Sequence, residues 1–111
     1  MNNIGICGAG LIGASWAIGF ANAGFKCFVY DSNQESIKNF EKTSDQLFLD
    51  LKILEPKIDV NQIKSNIILN CTINEICKDA QLIQESIIED LDAKQQIFRE
   101  LDRLSSKNTI I

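Results

Sequence analysis

The groups best suited to chemistry lie in two short stretches of the chain. Gly8-Ala9-Gly10-Leu11-Ile12-Gly13 has the spacing G-x-G-x-x-G and directly follows an apolar run, Ile4 to Cys7, that reads as a strand. In such a turn the first glycine lets the chain bend sharply, the second leaves room for a pyrophosphate against the backbone, and the third lets a helix pack tightly on the strand. The helix that this motif opens presents free N–H groups and a partial positive charge, so Gly8, Ala9, Gly10, Leu11, Ile12 and Gly13 form an anion cradle made of backbone. Asp31 follows Gly13 by eighteen residues, at the end of a second apolar run. There a carboxylate accepts hydrogen bonds from the adenosine-ribose hydroxyls and repels the extra phosphate of NADP. Alone, a G-x-G-x-x-G is often just a glycine-rich turn. The strand before it, the helix after it and the acid at this distance together predict dinucleotide binding. A flavin dinucleotide would use the same cradle, so the fingerprint does not by itself choose NAD.

The second stretch, Gln84 to Leu91, carries Glu85, Glu89 and Asp90 at the end of another apolar run. In a doubly wound sheet such acids open onto the crevice at the carboxyl ends of the strands, although Asp90 and Asp92 equally suit the first turn of a helix. Other chemistry is excluded by composition. The chain has no His, which removes a Ser-His-Asp triad, a His general base, a Cys-Cys-His-His zinc site and a haem His ligand. Cys7, Cys27, Cys71 and Cys77 contain no C-x-x-C pair, and three of them sit in or beside strand-like runs, so buried reduced thiols are expected and no metal site. Eleven basic against fifteen acidic residues leave a net charge of −4, and the bases are scattered, which argues against nucleic acid as a partner.

The elements that must position these groups follow from punctuation and periodicity. All six glycines lie at or before Gly24, and the only proline is Pro56. Ile4 to Cys7 and Lys26 to Tyr30 read as strands; between them Gly13, Ala17 and Ala21 form a small-residue helix face beside a bulky stripe of Ile12, Trp16 and Phe20. Trp16 is expected in the core or at an interface rather than on a ligand. Gly24 suits the left-handed close of that helix. Ser32-Asn33-Gln34-Glu35 has capping-box spacing, and Ile37, Phe40, Leu47, Leu51 and Leu54 hold helical register up to Pro56. A polar stretch from Asp59 to Asn66 precedes a strand at Ile67 to Leu69. Thr72-Ile73-Asn74-Glu75 then caps a short helix to about Asp79. A strand over Leu82 to Ile88, a helix from about Asp90 to Leu104 with Leu91, Lys94, Phe98, Leu101 and Leu104 in register, and a strand begun at Thr109-Ile110-Ile111 complete the order. Alternating strands and helices predict an α/β fold: a Rossmann doubly wound parallel sheet, strand order 3-2-1-4-5, ending after the start of the fifth strand.

With 111 residues, 45% hydrophobic and 23% charged, the chain is expected to form one folded domain over 1–111. Residues 1 to 25 carry no charge and include Ala21-Asn22-Ala23, which imitates a secretory leader. However, no basic residue precedes the apolar run, and five glycines from Gly5 to Gly19 interrupt it. A cytoplasmic protein without a membrane partner is the expectation.

Gly8 to Asp31 (GAGLIGASWAIGFANAGFKCFVYD) and Gln84 to Asp102 (QESIIEDLDAKQQIFRELD) together resemble the nucleotide-binding domain of the 3-hydroxyacyl-CoA dehydrogenase family. The second segment is the more specific, through a Glu-x-x-x-Glu-(Asp/Asn)-Leu-x-x-Lys pattern over Glu85 to Lys94. Gly-Leu-Ile-Gly-x-Ser-Trp-Ala points to the branch of lambda-crystallin, or gulonate 3-dehydrogenase. Between about Glu41 and Asn66 only helix length and polarity match. The resemblance implies NAD as cofactor, with Gly8 to Gly13 on the pyrophosphate, Asp31 on the adenosine ribose, and Glu89 and Lys94 near the nicotinamide half. It implies an oxidoreductase of fatty-acid metabolism, moving hydride between the C3 hydroxyl of a hydroxyacyl-CoA, or of a related hydroxy acid, and NAD. In the family a catalytic His paired with a Glu, and a helical domain, follow the strand begun at Thr109. This sequence carries neither, so no catalytic residue is expected here and the chain alone should be inactive. Glu89, a carboxyl with a reference pKa of about 4.3, would be a poor base for an alcohol. The alternative is a stand-alone NAD(H)-binding or sensing module. Either way, uncovered apolar surface is expected to favour self-association.

Overall fold

The structure is a computed structural model in which residues 2–86 and 91–111 are described. Four parallel strands form one sheet: β1 (Asn3–Cys7), β2 (Lys26–Tyr30), β3 (Ile67–Ile68) and β4 (Leu82–Glu85), in the order β3-β2-β1-β4. Ile110 makes a single parallel bridge to Leu82 on the free side of β4, with its N–H donating to Gln81 O at 2.9 Å and its carbonyl accepting from Ile83 N–H at 2.7 Å. That bridge marks the fifth position, so the described sheet agrees with the order 3-2-1-4-5.

Side chains leave the central strands alternately to opposite faces, as the two-residue period of a strand requires. Ile4, Ile6, Cys27 and Val29 enter one core with Ala14, Ala17, Ile18 and Ala21 of α1 (Leu11–Asn22) and Phe40 and Phe48 of α2 (Gln34–Leu54). Cys7 and Ile83 enter the other, with Ile76 and Cys77 of α4 (Ile73–Asp79) and Ile97 and Leu101 of α5 (Leu91–Leu104). β1 is buried on both faces, which explains an apolar run without alternation. The small-residue face of α1 is the buried one. Its bulky neighbours are not: Leu11 and Ile12 are exposed, and Trp16, 44% exposed, stacks on Phe20 at a centroid distance of 5.6 Å. Trp16 therefore lies outside the core. Gly24, with φ of 97°, follows the last turn of α1.

Several expectations are corrected. The cap of α2 is Asn33, not Ser32: its side-chain oxygen accepts from Glu35 N–H at 3.0 Å, because Asp31 holds the chain one residue earlier. Leu54 keeps helical register but is exposed, since the end of α2 runs past the core. The polar stretch contains a helix, α3 (Val60–Ser65), capped by Asp59, whose carboxylate accepts from Gln62 N–H at 3.1 Å. It buries only Ile63 and so has no periodicity to read. β3 is two residues long. The described part of β4 ends at Glu85, and the rest of the strand expected to Ile88 lies outside the described residues. On α5 the buried face is Ile97 and Leu101, with Leu91 and Phe98 exposed. The Thr72–Glu75 capping box is present with both of its reciprocal bonds. Among the described residues, no helix is long and apolar enough to cross a membrane.

Candidate functional site

The turn between β1 and α1 sits at the carboxyl end of the central strand, and its glycines meet three different demands. Gly8 has φ of 111°, a conformation that side chains disfavour, and its N–H donates to Tyr30 O at 2.7 Å, tying the turn to β2. A Cβ on Gly13 would be driven into the Gly8 carbonyl, so the helix can lie this close only with hydrogen there. A Cβ on Gly10 would meet nothing within 4 Å. Gly10 caps α1 without any side-chain bond, and its carbonyl accepts the first intrahelical hydrogen bond, from Ala14 N–H at 2.9 Å. The N–H groups of Leu11, Ile12 and Gly13 therefore lie outside the helical ladder, and no acidic side chain occupies the first turn. The geometry fits an anion brought up against Gly10.

Asp31 joins this turn directly. Its Oδ2 accepts from Ala9 N–H and its Oδ1 from Asn33 N–H, each at 2.8 Å. A carboxylate oxygen has two lone pairs, so each retains capacity for a ligand hydroxyl. A cavity of about 220 Å³ opens here, bounded by Gly10, Asp31, Ser32, Asn33 and Ser36 on one side and by Ser86 and Ala93 on the other. Among the described residues its lining carries hydroxyls, an amide and a carboxylate and no cation, which suits ribose hydroxyls and disfavours a 2′-phosphate.

The opposite wall is built from side chains. Glu85, the last residue of β4, has its side chain only 8% exposed and its carboxylate paired with Lys94, whose Nζ donates to Oε2 at 3.0 Å and to Oε1 at 3.3 Å. Ser86 N–H donates to Cys7 O at 2.7 Å, which fixes this wall to the end of β1. Cys7 and Tyr30, the last residues of β1 and β2, are poorly suited to proton transfer at neutral pH. Burial, with smaller contributions from Cys77, Glu85 and Asp31, pushes the Cys7 thiol up to about 12. Burial also raises the Tyr30 phenol, helped by Cys7, Glu100 and Asp31. The described residues of the site are arranged to bind and orient.

The structure thus brings together Gly8, Ala9, Gly10, Leu11, Ile12, Gly13 and Asp31. Lys94 follows Ala93, which lines the cavity, without lining it itself, and Glu89 lies outside the described residues. Sequence reasoning missed the Ser32, Ser36 and Ser86 lining and the partnership of Glu85 with Lys94. Ser32 and Ser86 follow strand ends and Ser36 lies in the first turn of α2, positions where serine is common without any ligand. The ion pair spans nine residues across a strand-to-helix junction, a contact that helical or strand periodicity does not reveal.

Comparison with known proteins agrees with this geometry. Residues 3–111 match the family described as 3-hydroxyacyl-CoA dehydrogenase, NAD binding domain. The chain is 34% identical over 113 residues to the human (Homo sapiens) lambda-crystallin homolog, covering 96% of this chain and 34% of that protein. It is 30% identical to a probable 3-hydroxybutyryl-CoA dehydrogenase of Bacillus subtilis, covering all of this chain and 39% of that one. Among solved structures, (S)-3-hydroxybutyryl-CoA dehydrogenase from Ralstonia eutropha superposes with a TM-score of 0.86 at 22% identity, over the whole of this chain and 40% of its own. The chain thus spans little more than a third of the length of these relatives, and over that span it belongs to the NAD-binding domain family of the 3-hydroxyacyl-CoA dehydrogenases.

Proposed function

We propose that this domain binds NAD(H) across the carboxyl ends of β1, β2 and β4 as the cofactor half of a dehydrogenase, whose substrate is a 3-hydroxyacyl-CoA or a related 3-hydroxy acid. The observation that carries this reading is the empty volume over Gly10, which borders the cavity that Asp31 also lines. In it, the backbone of Gly8, Ala9, Gly10, Leu11, Ile12 and Gly13 receives the pyrophosphate, Asp31 the adenosine ribose, and Glu89 and Lys94 the nicotinamide half. The nicotinamide supplies hydride transfer when bound. The domain's own residues hold it in place, and among the described ones Cys7 and Tyr30 have pKa values raised away from a proton acceptor's range at neutral pH. The substrate assignment is supported by the Bacillus subtilis relative, which is described as a 3-hydroxybutyryl-CoA dehydrogenase. The four cysteines, all free and buried, support a reducing, cytoplasmic setting, consistent with a place in fatty-acid metabolism.

Parallel calorimetric titrations with NADH, NADPH and FAD test the cofactor assignment. NADH is expected to bind most tightly, and equal or tighter binding of NADPH or FAD would overturn it. Added acetoacetyl-CoA is expected to cause no steady oxidation of the bound NADH by this chain alone. Turnover that disappears in a Glu89→Gln variant would instead make Glu89 a catalytic acid.

A further inference from the structure

The Glu85–Lys94 pair has features that an ordinary surface salt bridge lacks. Glu85 is the terminal residue of β4, and its side chain is largely buried, a placement that favours a charge with a partner to compensate it. Lys94 lies in the first turn of α5 with its side chain 31% exposed, so the lysine is gripped by a largely buried partner and still reaches solvent. Both carboxylate oxygens accept from Nζ. An ammonium carries three N–H donors, so such a grip still leaves donor capacity directed elsewhere. The residues beside the pair, Ser86 next to Glu85 and Ala93 next to Lys94, line the cavity that Gly10 and Asp31 bound from the other side.

We propose that Glu85 is a positioning residue for the cofactor: it holds the Lys94 ammonium at the edge of the crevice as an oriented donor to an uncharged oxygen of the nicotinamide-riboside half. Two physical consequences separate this from a lysine that acts as a counter-ion. The long lysine side chain surrenders its rotamer freedom to Glu85 before the ligand arrives, so binding no longer has to immobilise it. The pair is also electrically neutral overall, so it offers a phosphate little net attraction but offers a hydroxyl or amide oxygen a fixed N–H. The inference rests on the NAD(H) reading above.

The test compares NADH with ADP-ribose, which carries the adenosine and pyrophosphate but no nicotinamide. Calorimetry on the wild type, Lys94→Met, Glu85→Gln and the double variant is expected to show about a tenfold loss of NADH affinity in each single variant, the scale of one charge-assisted hydrogen bond. The double variant should be no weaker than the singles, and ADP-ribose affinity should stay within about twofold throughout. A Glu85→Gln variant that binds NADH as tightly as wild type would overturn the proposal. So would equal losses for NADH and ADP-ribose, which would make the pair a structural tether. Should Glu85→Gln fail to fold, side-chain ¹⁵N spectra of the unaltered protein decide: the Lys94 ammonium resonance is expected to shift with NADH and not with ADP-ribose, and an unmoved resonance would refute the role. A wild-type chain that binds neither ligand would overturn the NAD(H) reading itself, whereas normal wild-type binding with unaffected variants would overturn only the positioning role.

Discussion

The two walls of the crevice are built on opposite plans. The β1–α1 turn is backbone held by backbone: Gly8 is bonded to Tyr30, Gly13 is pressed against the Gly8 carbonyl, and no charged side chain enters the first turn of α1. The β4–α5 junction relies on a desolvated ion pair between a strand end and a helix start. Asp31 stands between the plans, a side chain whose two oxygens both hold backbone N–H groups. A wall of peptide groups keeps its charge distribution at every pH, so its recognition is fixed by shape. A wall of charged side chains can be altered by one atom and tuned more freely. The comparison teaches that a shared anion site is set by the part of the sequence with fewest functional groups.

The largest expected effect comes from Gly13. Gly13→Ala should destabilise the fold by about 3 kcal/mol or more in urea denaturation, because the new methyl meets a backbone carbonyl that cannot swing aside. A small loss would mean that α1 can shift and that the turn is less rigid than the comparison requires. Next is Gly10→Val, which should weaken NADH roughly a hundredfold, about 2.7 kcal/mol, while circular dichroism and melting temperature stay near wild type. The contrast between the two glycines, one needed by the fold and the other by the ligand, is the sharpest test of the backbone wall. Retained affinity in Gly10→Val would place the cradle elsewhere.

Asp31→Ala should cost NADH about 1–3 kcal/mol, leave NADPH less affected, and also lower stability, since Ala9 N–H and Asn33 N–H lose their acceptors. An affinity loss without a stability loss would mean that the turn does not need its brace. The smallest effect is expected from pH. Cys7 pairs in register with both Tyr30 and Glu85, so it lies beneath both walls. Its thiol and that of Cys27 are raised by burial from 9.0 to about 12. A raised folded pKa stabilises fully below the unfolded value and is lost as pH climbs through the folded one. Stability should thus be flat up to about pH 9 and fall above it, by about 1 kcal/mol per thiol at pH 10. Urea midpoints at pH 7, 9 and 10 check this, and Cys7→Ala or Cys27→Ala should flatten the decline.

The glycine-rich turn, its flanking strands and the distance to Asp31 could be read from sequence because each is local: a φ of 111° at Gly8 is a property of glycine, and eighteen residues is the length of one helix and one strand. The α4 capping box was equally local. What escaped was tertiary. Helix α3 buries one side chain, so hydrophobic spacing carries no trace of it, although Asp59 three residues before Gln62 was a usable cap signal. The shift of the α2 cap from Ser32 to Asn33 follows from Asp31 bonding to Asn33 N–H, which depends on the carboxylate also reaching Ala9. On the far wall, Lys94 was placed by family resemblance, and its grip by Glu85 emerges only when β4 and α5 are set side by side.

The strand order has a consequence for synthesis. β1 is central, bonded to β2 on one side and β4 on the other, and Asn3 N–H donates to the side chain of Gln81, 78 residues later. At about 5–20 residues per second, the chain emerging from a ribosome exposes the second edge of β1 for roughly 4 to 16 s before its partner exists. A β1–α1–β2 unit paired during that interval would carry an unpaired edge, a template for any neighbouring nascent chain. Cotranslational folding therefore assembles the nucleotide cradle early and protects it late.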